Sequence, residues 1–360
     1  MAGYKQTLKV FMLGILLLSA VLIFGCTQKE QAVIKSDEEE GHLVTGSAIT
    51  EEKQNRKNQI QSPLNGMYID KEKLNSRVIA VMLDNQYSAR PQAALSKCDV
   101  VYEILAEGNI TRYMGIIGSE QPDNMGPVRS SRDYFIEKAL EYDALYVHVG
   151  GSPQAYKAIQ KLNVASVDAM NQISDIFWRK KHKFAPHNTY TNYDAILKGA
   201  NRKKFRDKGE FEPLLFYEDD MEIEGEIVTL IRFPYNGIKY YSSYEYDEDE
   251  KVYNRYINGE PHLDENEDIS IKAKNIIVQF AETKLIKGDP EGRLTIRFIG
   301  EGEGLYITNG KYKKITWEKT DERSMTRYYD EKGNEILLNP GKIWIQIYPE
   351  HRAGEIEIEG

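Results

Sequence analysis

The residues with chemical potential in this 360-residue chain concentrate at two turns, Gly126 to Arg132 (GPVRSSR) and His148 to Pro153 (HVGGSP). Arg129 and Arg132 carry forked donors suited to phosphate or carboxylate. Ser130 and Ser131 stand where a helix begins, and either could cap it. Helix starts attract anions through unpaired N–H groups and the helix dipole. His148, beside Gly150 and Gly151, is a candidate general base or ligand. Ser152-Pro153 has the cap-then-proline order that opens a helix. Asp84 and Asn85 end an apolar run, where polar groups of α/β folds often meet ligands. Arg90 and Gln92 lie in a loop, Glu103 and Arg112 within strand-like runs, and His187 in a long basic loop. The candidate ligand-binding set is Asp84, Asn85, Arg90, Gln92, Glu103, Arg112, Arg129, Ser130, Arg132, His148, Ser152 and His187. The competing reading is that the arginines only pair internally, with Glu103, Glu107 or Asp133.

Several chemistries lack their spacing. The turn at Gly126 is neither a phosphate-binding Walker loop nor a dinucleotide fingerprint. Neither serine cluster has the GxSxG or SxxK pattern of a nucleophile. His148, His187 and Asp84 have no tight metal-ligand spacing, so neither metal nor cofactor is expected. Asp264 to Asp268 begins like a calcium loop but has Ile269 where glycine is required and Asn275 where the closing glutamate belongs. Gly300 to Gly304 is glycine-rich but acidic, the wrong charge for cradling phosphate.

The elements that must position these groups follow from patterning. Arg77–Leu83 is an unbroken, β-branched run that suits a strand covered on both faces. Ala93–Cys98 reads as a short helix, Asp99–Leu105 and Ile110–Ile117 as strands. Phe135, Ile136, Ala139 and Leu140 share one face of a helix, and Ala144–Val149 is a strand containing His148. A helix opens at Ser152, and another follows a cap at Thr191. If the helix after Arg132 runs back antiparallel to the strand ending at His148, the two polar turns lie side by side. From about Ile227 the chain becomes a series of short strands, with hairpin signals at Asn258-Gly259 and Asn309-Gly310. Half of the 24 tyrosines lie between Tyr235 and Tyr348, where packing into a sheet is the simpler reading than a sugar platform. The expected fold class is α+β or α/β: an α/β layered domain over residues 63–212, then a mainly antiparallel β-rich domain over 213–360.

The N-terminus reads as an address. Lys5 and Lys9 precede an uncharged apolar run, Val10 to Phe24, shorter than the ~20 residues of a spanning helix. Ile23-Phe24-Gly25-Cys26 resembles the lipobox of bacterial lipoproteins. That resemblance implies a signal peptide over 1–25, lipidation of Cys26 with palmitate-type acyl chains, and attachment to the cell membrane on its extracytoplasmic side. Residues 26–62 contain a polar tract that reads as a flexible stalk. Cys98 is expected to be a small buried residue. A formal net charge of −9 argues against binding bulk nucleic acid.

The words RVIAVMLDN (77–85), ARPQAALSKCDVVYEILAEGNITRY (89–113), GPVRSSRDYFIEKALEYDALYVHVGGSPQAY (126–156), APHNTYT (185–191) and LNPGKIWIQIYP (338–349) resemble the YerB-like lipoprotein family, a family of unknown function. The resemblance implies an N-terminal α/β domain, a β-rich C-terminal domain and a lipid anchor, but no activity. The leading functional expectation is a membrane-anchored protein that binds an anionic or glycan-like envelope ligand or a protein partner. An envelope hydrolase or transferase with His148 or His187 as base, and a scaffold without ligand, are the alternatives. The weight of the motifs is against an enzyme.

Overall fold

The computed structural model describes residues 58–171, 175–237 and 239–360. The segments read as a signal peptide and as a stalk, with Cys26 and as far as Lys57, lie outside the described residues. Gln59–Gln61, at the end of the segment read as a stalk, pairs with Tyr68–Asp70.

The chain is strand-rich with few helices. In chain order the elements that position the site are β1 (Ile79–Leu83), β2 (Val100–Leu105), β3 (Thr111–Ile117), α1 (Asp133–Leu140), β4 (Leu145–His148), α2 (Pro153–Lys161), β5 (Ser166–Asp168) and α3 (Tyr193–Arg202). They are followed by β6 (Leu230–Pro234), β7 (Tyr241–Asp247), β8 (Val252–Ile257), β9 (Asn275–Ala281), β10 (Gly300–Thr308), β11 (Lys311–Lys319) and β12 (Ile343–Pro349). One 11-stranded sheet runs through both parts of the chain, in the order β11-β10-β9-β12-β2-β3-β1-β4-β5 with short strands added at β11. Its seam is β12, which lies parallel to both β9 and β2. A second, six-stranded sheet is built around β6, β7 and β8.

The unbroken apolar run of β1 has the burial its sequence requires. Ile79, Val81 and Leu83 enter one core with α3 and the second sheet, whereas Ala80 and Met82 enter another with α1 and α2. Alternate side chains point to opposite faces, so a strand with both faces covered needs no polar position. The face predicted for α1 is the buried one. Asn258-Gly259 and Asn309-Gly310 close two-residue hairpins, all four residues at positive φ, as this turn type demands. The tyrosines at 235, 240, 244, 253, 306, 328 and 348 are buried in sheet packing.

Local differences have clear causes. Ala93–Cys98 makes only a short 3-10 turn at Leu95–Lys97, because Ala94 adopts a left-handed backbone conformation. The Asp264 carboxylate fixes that turn, accepting from the Ala94 and Ser96 amides at 3.3 and 2.9 Å. Neither Ser130 nor Ser131 caps α1; the cap position is Arg132, and Ser131 instead accepts a hydrogen bond from the Tyr146 hydroxyl. The α3 cap is Asn192 rather than Thr191, whose hydroxyl donates to the Ile176 carbonyl. The loop around His187 contains a small hairpin pairing Trp178–Arg179 with Thr189–Tyr190.

Candidate functional site

The two polar turns do lie side by side. Ser131 N–H donates to the Gly150 carbonyl at 2.9 Å, Val149 N–H to that of Arg129 at 3.0 Å, and Ser152 N–H to that of Ser131 at 3.2 Å. Their side chains nevertheless part company. Ser152 caps α2, accepting from the Ala155 amide. His148 is fully buried and sits at hydrogen-bond distance from the Gly150 carbonyl (Nδ1, 2.8 Å) and the Ser166 hydroxyl (Nε2, 2.8 Å). A carbonyl can only accept, so Nδ1 carries the proton and Nε2 accepts from Ser166. Burial pushes the His148 pKa down, against the pull of the Asp168 charge. With both ring nitrogens engaged, His148 is a satisfied interior residue and does not reach the arginines.

The arginines converge elsewhere, on a cleft of ≈ 310 Å³ beyond the end of β1. The extended segment after Gly126 brings Arg129 there. Gly126 has a positive φ, and a Cβ on it would stand 2.7 Å from Tyr190 Cδ1, so only glycine lets the segment lie against the hairpin. Asp84 N–H then donates to the Pro127 carbonyl and Arg129 N–H to that of Met82, both at 2.9 Å. This sets the Arg129 Nε 3.3 Å from Asp84 Oδ2. The same oxygen receives the His187 Nδ1–H at 2.7 Å.

Glu107, in the turn between β2 and β3, collects two more arginines. Arg112 donates to its Oε2 at 3.0 Å and to the Ser130 carbonyl at 3.1 Å. Arg132 donates from Nε to Oε1, and from Nη1 to the Ser130 hydroxyl and the Ser131 carbonyl. Burial alone would raise the Glu107 carboxyl; the hydrogen bond from Arg132 and both positive charges hold it below its ordinary value. Burial and the neighbouring Arg132 charge lower that of Arg112. Glu291 and Arg293, from the turn joining Thr283–Leu285 to Leu294–Ile296, line the same cleft. Neither is legible as a site residue in the sequence, because a hairpin from the second half of the chain brings them in.

Three further candidates, Asn85, Gln92 and Glu103, belong to a sealed interior network, and a fourth, Arg90, borders it. Glu103 is fully buried and accepts from Thr111 (2.7 Å), Tyr240 (2.5 Å), Arg255 (2.7 Å) and Gln346 (2.9 Å). Asn85 donates to Thr111 and Tyr240, while half-buried Arg90 donates to its carbonyl and stands over the Tyr240 ring. Gln92 donates to the Asp84 carbonyl. His262 lies between Arg255 Nη1 (2.6 Å) and Gln92 Oε1 (2.8 Å). Arg255 only donates, so His262 Nδ1 accepts and Nε2–H donates to Gln92. Burial, then the charges of Arg255 and Arg90, press the His262 pKa well down. Cys98 is buried too, its thiol pKa raised by burial. Among the described residues no group of three His, Cys, Asp or Glu is arranged to hold a metal ion.

The cleft can therefore offer charge and hydrogen bonds of both signs. Arg112, Arg129, Arg132 and Arg293 face Asp84, Glu107 and Glu291. Arg112 and Arg132 are committed to Glu107. Arg129 is the least committed: its side chain is 26% exposed, and among the described residues no hydrogen bond reaches its Nη groups.

Comparison with known proteins places this architecture. Residues 64–206 match the "Protein of unknown function (DUF3048) N-terminal domain", and residues 231–345 match the C-terminal domain of the same family. "Putative lipoprotein YerB" of Bacillus subtilis (strain 168) is 33% identical over 298 residues, covering 82% of this chain and 88% of that protein. The crystal structure of the YerB protein from Bacillus subtilis superposes with a TM-score of 0.76 at 32% identity, over 84% of this chain and 100% of that one. With one strand-rich fold, both domains and most of its length in common with these proteins, the chain belongs to the DUF3048 family, whose function is unknown.

Proposed function

We propose that the protein is a membrane-anchored, extracytoplasmic lipoprotein that binds an anionic ligand in the cleft between Asp84, Arg129 and Glu107. The address at residues 1–26 and the lipoprotein name of the Bacillus relative support the anchor. The same reading takes residues 63–212 as an α/β layered half and 213–360 as a β-rich half. It is supported by α1 and α2 burying against one face of the sheet and α3 against the other.

One observation carries the binding reading: a partly exposed Arg129 with unclaimed Nη donors, in a cleft with three other arginines. A guanidinium held through Nε presents its other edge as a two-pronged donor, the geometry that phosphate and carboxylate accept. The test is a thermal-shift titration of the exported chain with inorganic phosphate and pyrophosphate. The expected result is a concentration-dependent rise in Tm that Arg129→Ala abolishes without shifting the unliganded Tm. Equal stabilisation of both proteins moves the site elsewhere.

A second reading, an envelope hydrolase, is favoured by a specific geometry. His187 Nδ1 is held 2.7 Å from the buried Asp84 carboxylate, and no hydrogen bond reaches its Nε2 among the described residues. A carboxylate that orients Nδ1–H leaves the Nε2 lone pair available to take a proton from water. Turnover of p-nitrophenyl phosphate or acetate, abolished by His187→Gln, is the result this reading requires.

A further inference from the structure

Large apolar side chains that fold into the core need no function, but two aromatic residues on loops tied to the cleft are almost wholly in solvent. Tyr87 is 82% exposed and Phe184 85%. They belong to different loops that are fastened together. The Lys183 ammonium donates to the Ala89 carbonyl at 2.9 Å and to the Pro91 carbonyl at 2.5 Å, which joins the loop of Phe184 to that of Tyr87. Each aromatic is also tied to the cleft. Tyr87 follows Gln86, which lines it. Phe184 starts a turn closed by His187 N–H on its carbonyl at 2.8 Å, and the His187 ring then holds Asp84.

We infer that Tyr87 and Phe184 are stacking platforms for sugar rings, so that the ligand of the cleft is an anionic glycan, a sugar bearing phosphate or carboxylate. This rests on the anion-binding reading of Arg129 and specifies its ligand. Three features select this class. Isolated aromatic faces in a polar setting match the C–H faces of sugars, whereas a protein partner calls for a contiguous apolar patch. The cleft opposes its arginines with carboxylates, among them the exposed Glu291, which accept sugar hydroxyls; a bare phosphate has no use for them. Those carboxylates also repel the face of an anionic bilayer.

The test is calorimetric titration of the exported chain with N-acetylglucosamine 1-phosphate, with inorganic phosphate and N-acetylglucosamine as separate arms. The sugar phosphate is expected to bind about tenfold tighter than phosphate, the gain from covering one aromatic face. Tyr87→Ala/Phe184→Ala removes that gain and leaves phosphate affinity unchanged, while Arg129→Ala weakens both. Both aromatic side chains are in solvent, so the double variant is expected to fold. Equal affinity for the two anions in the wild-type chain overturns the glycan inference and leaves the anion site standing. No phosphate binding, with Arg129→Ala inert, overturns both. Phosphatidylglycerol vesicles form a last arm: sedimentation that depends on the aromatic pair, with sugar-phosphate affinity unaffected by it, assigns the pair to the bilayer and also overturns the inference.

Discussion

Glu103 and Glu107 are near neighbours in sequence, one inside β2 and one just past its end, and each is met by arginine. Their surroundings are opposite. Glu103 and Arg255 are both fully enclosed, and Arg255 stands over Trp344 with Tyr113 and Tyr244 beside it. Every oxygen of Glu103 has donors. Glu107 and its arginines border an open cleft and remain 10–18% exposed. A sealed pair offsets its desolvation only when complete, and its partners fix how the first and second parts of the chain meet. An open set keeps part of its field available to whatever enters. The two glutamates separate a charge that serves assembly from charges that can serve a ligand.

The strongest challenge to this contrast is Arg255→Ala. It leaves Glu103 buried without its counter-ion and should cost about 3–5 kcal/mol in urea unfolding. Adding Glu103→Gln should recover part of that loss. If Arg255→Ala costs no more than a surface pair, the network is not what holds the halves in register.

The next effect is on pH dependence. His262 and His148 both have folded pKa values below 6.5. Below pH 6.5 the unfolded chain takes up protons that the folded one refuses, so stability falls as pH drops. The slope is at most about 1.4 kcal/mol per pH unit for each histidine. His262→Gln should flatten this slope in unfolding titrations; an unchanged slope removes His262 from the account.

Smaller effects belong to the open site. Glu107→Gln should cost about 1 kcal/mol, since Arg112 and Arg132 keep carbonyl partners and water. Arg129→Ala should change stability by no more than about 0.5 kcal/mol. A loss comparable to that of Arg255→Ala would make Arg129 structural and erase the difference between the two regions.

Periodicity made β1, α1 and the Asn-Gly hairpins legible, because each depends on neighbours in sequence. The adjacency of the two polar turns was legible too, since it follows from how a helix must run back along its strand. What escaped was everything set by distant partners. Nothing near Glu103 announces Arg255, 152 residues on. His148 looks like a site residue beside Gly150-Gly151, yet its strand buries it against Ser166. Asp264 was readable as a failed calcium loop but not as the clamp on the Ala94 turn. Arg293 enters through a hairpin whose reach no local pattern encodes.

The seam strand β12 has a consequence for the order of events during folding. It pairs in parallel with β2, from the first part of the chain, and with β9 on its other side. Until the chain as far as Pro349 is available, β2 and β9 each lack a neighbour and present an unpaired apolar edge. Such distant pairing is slow, and open edges invite other chains. The protein thus depends on nearly its whole length being present before its largest sheet can close.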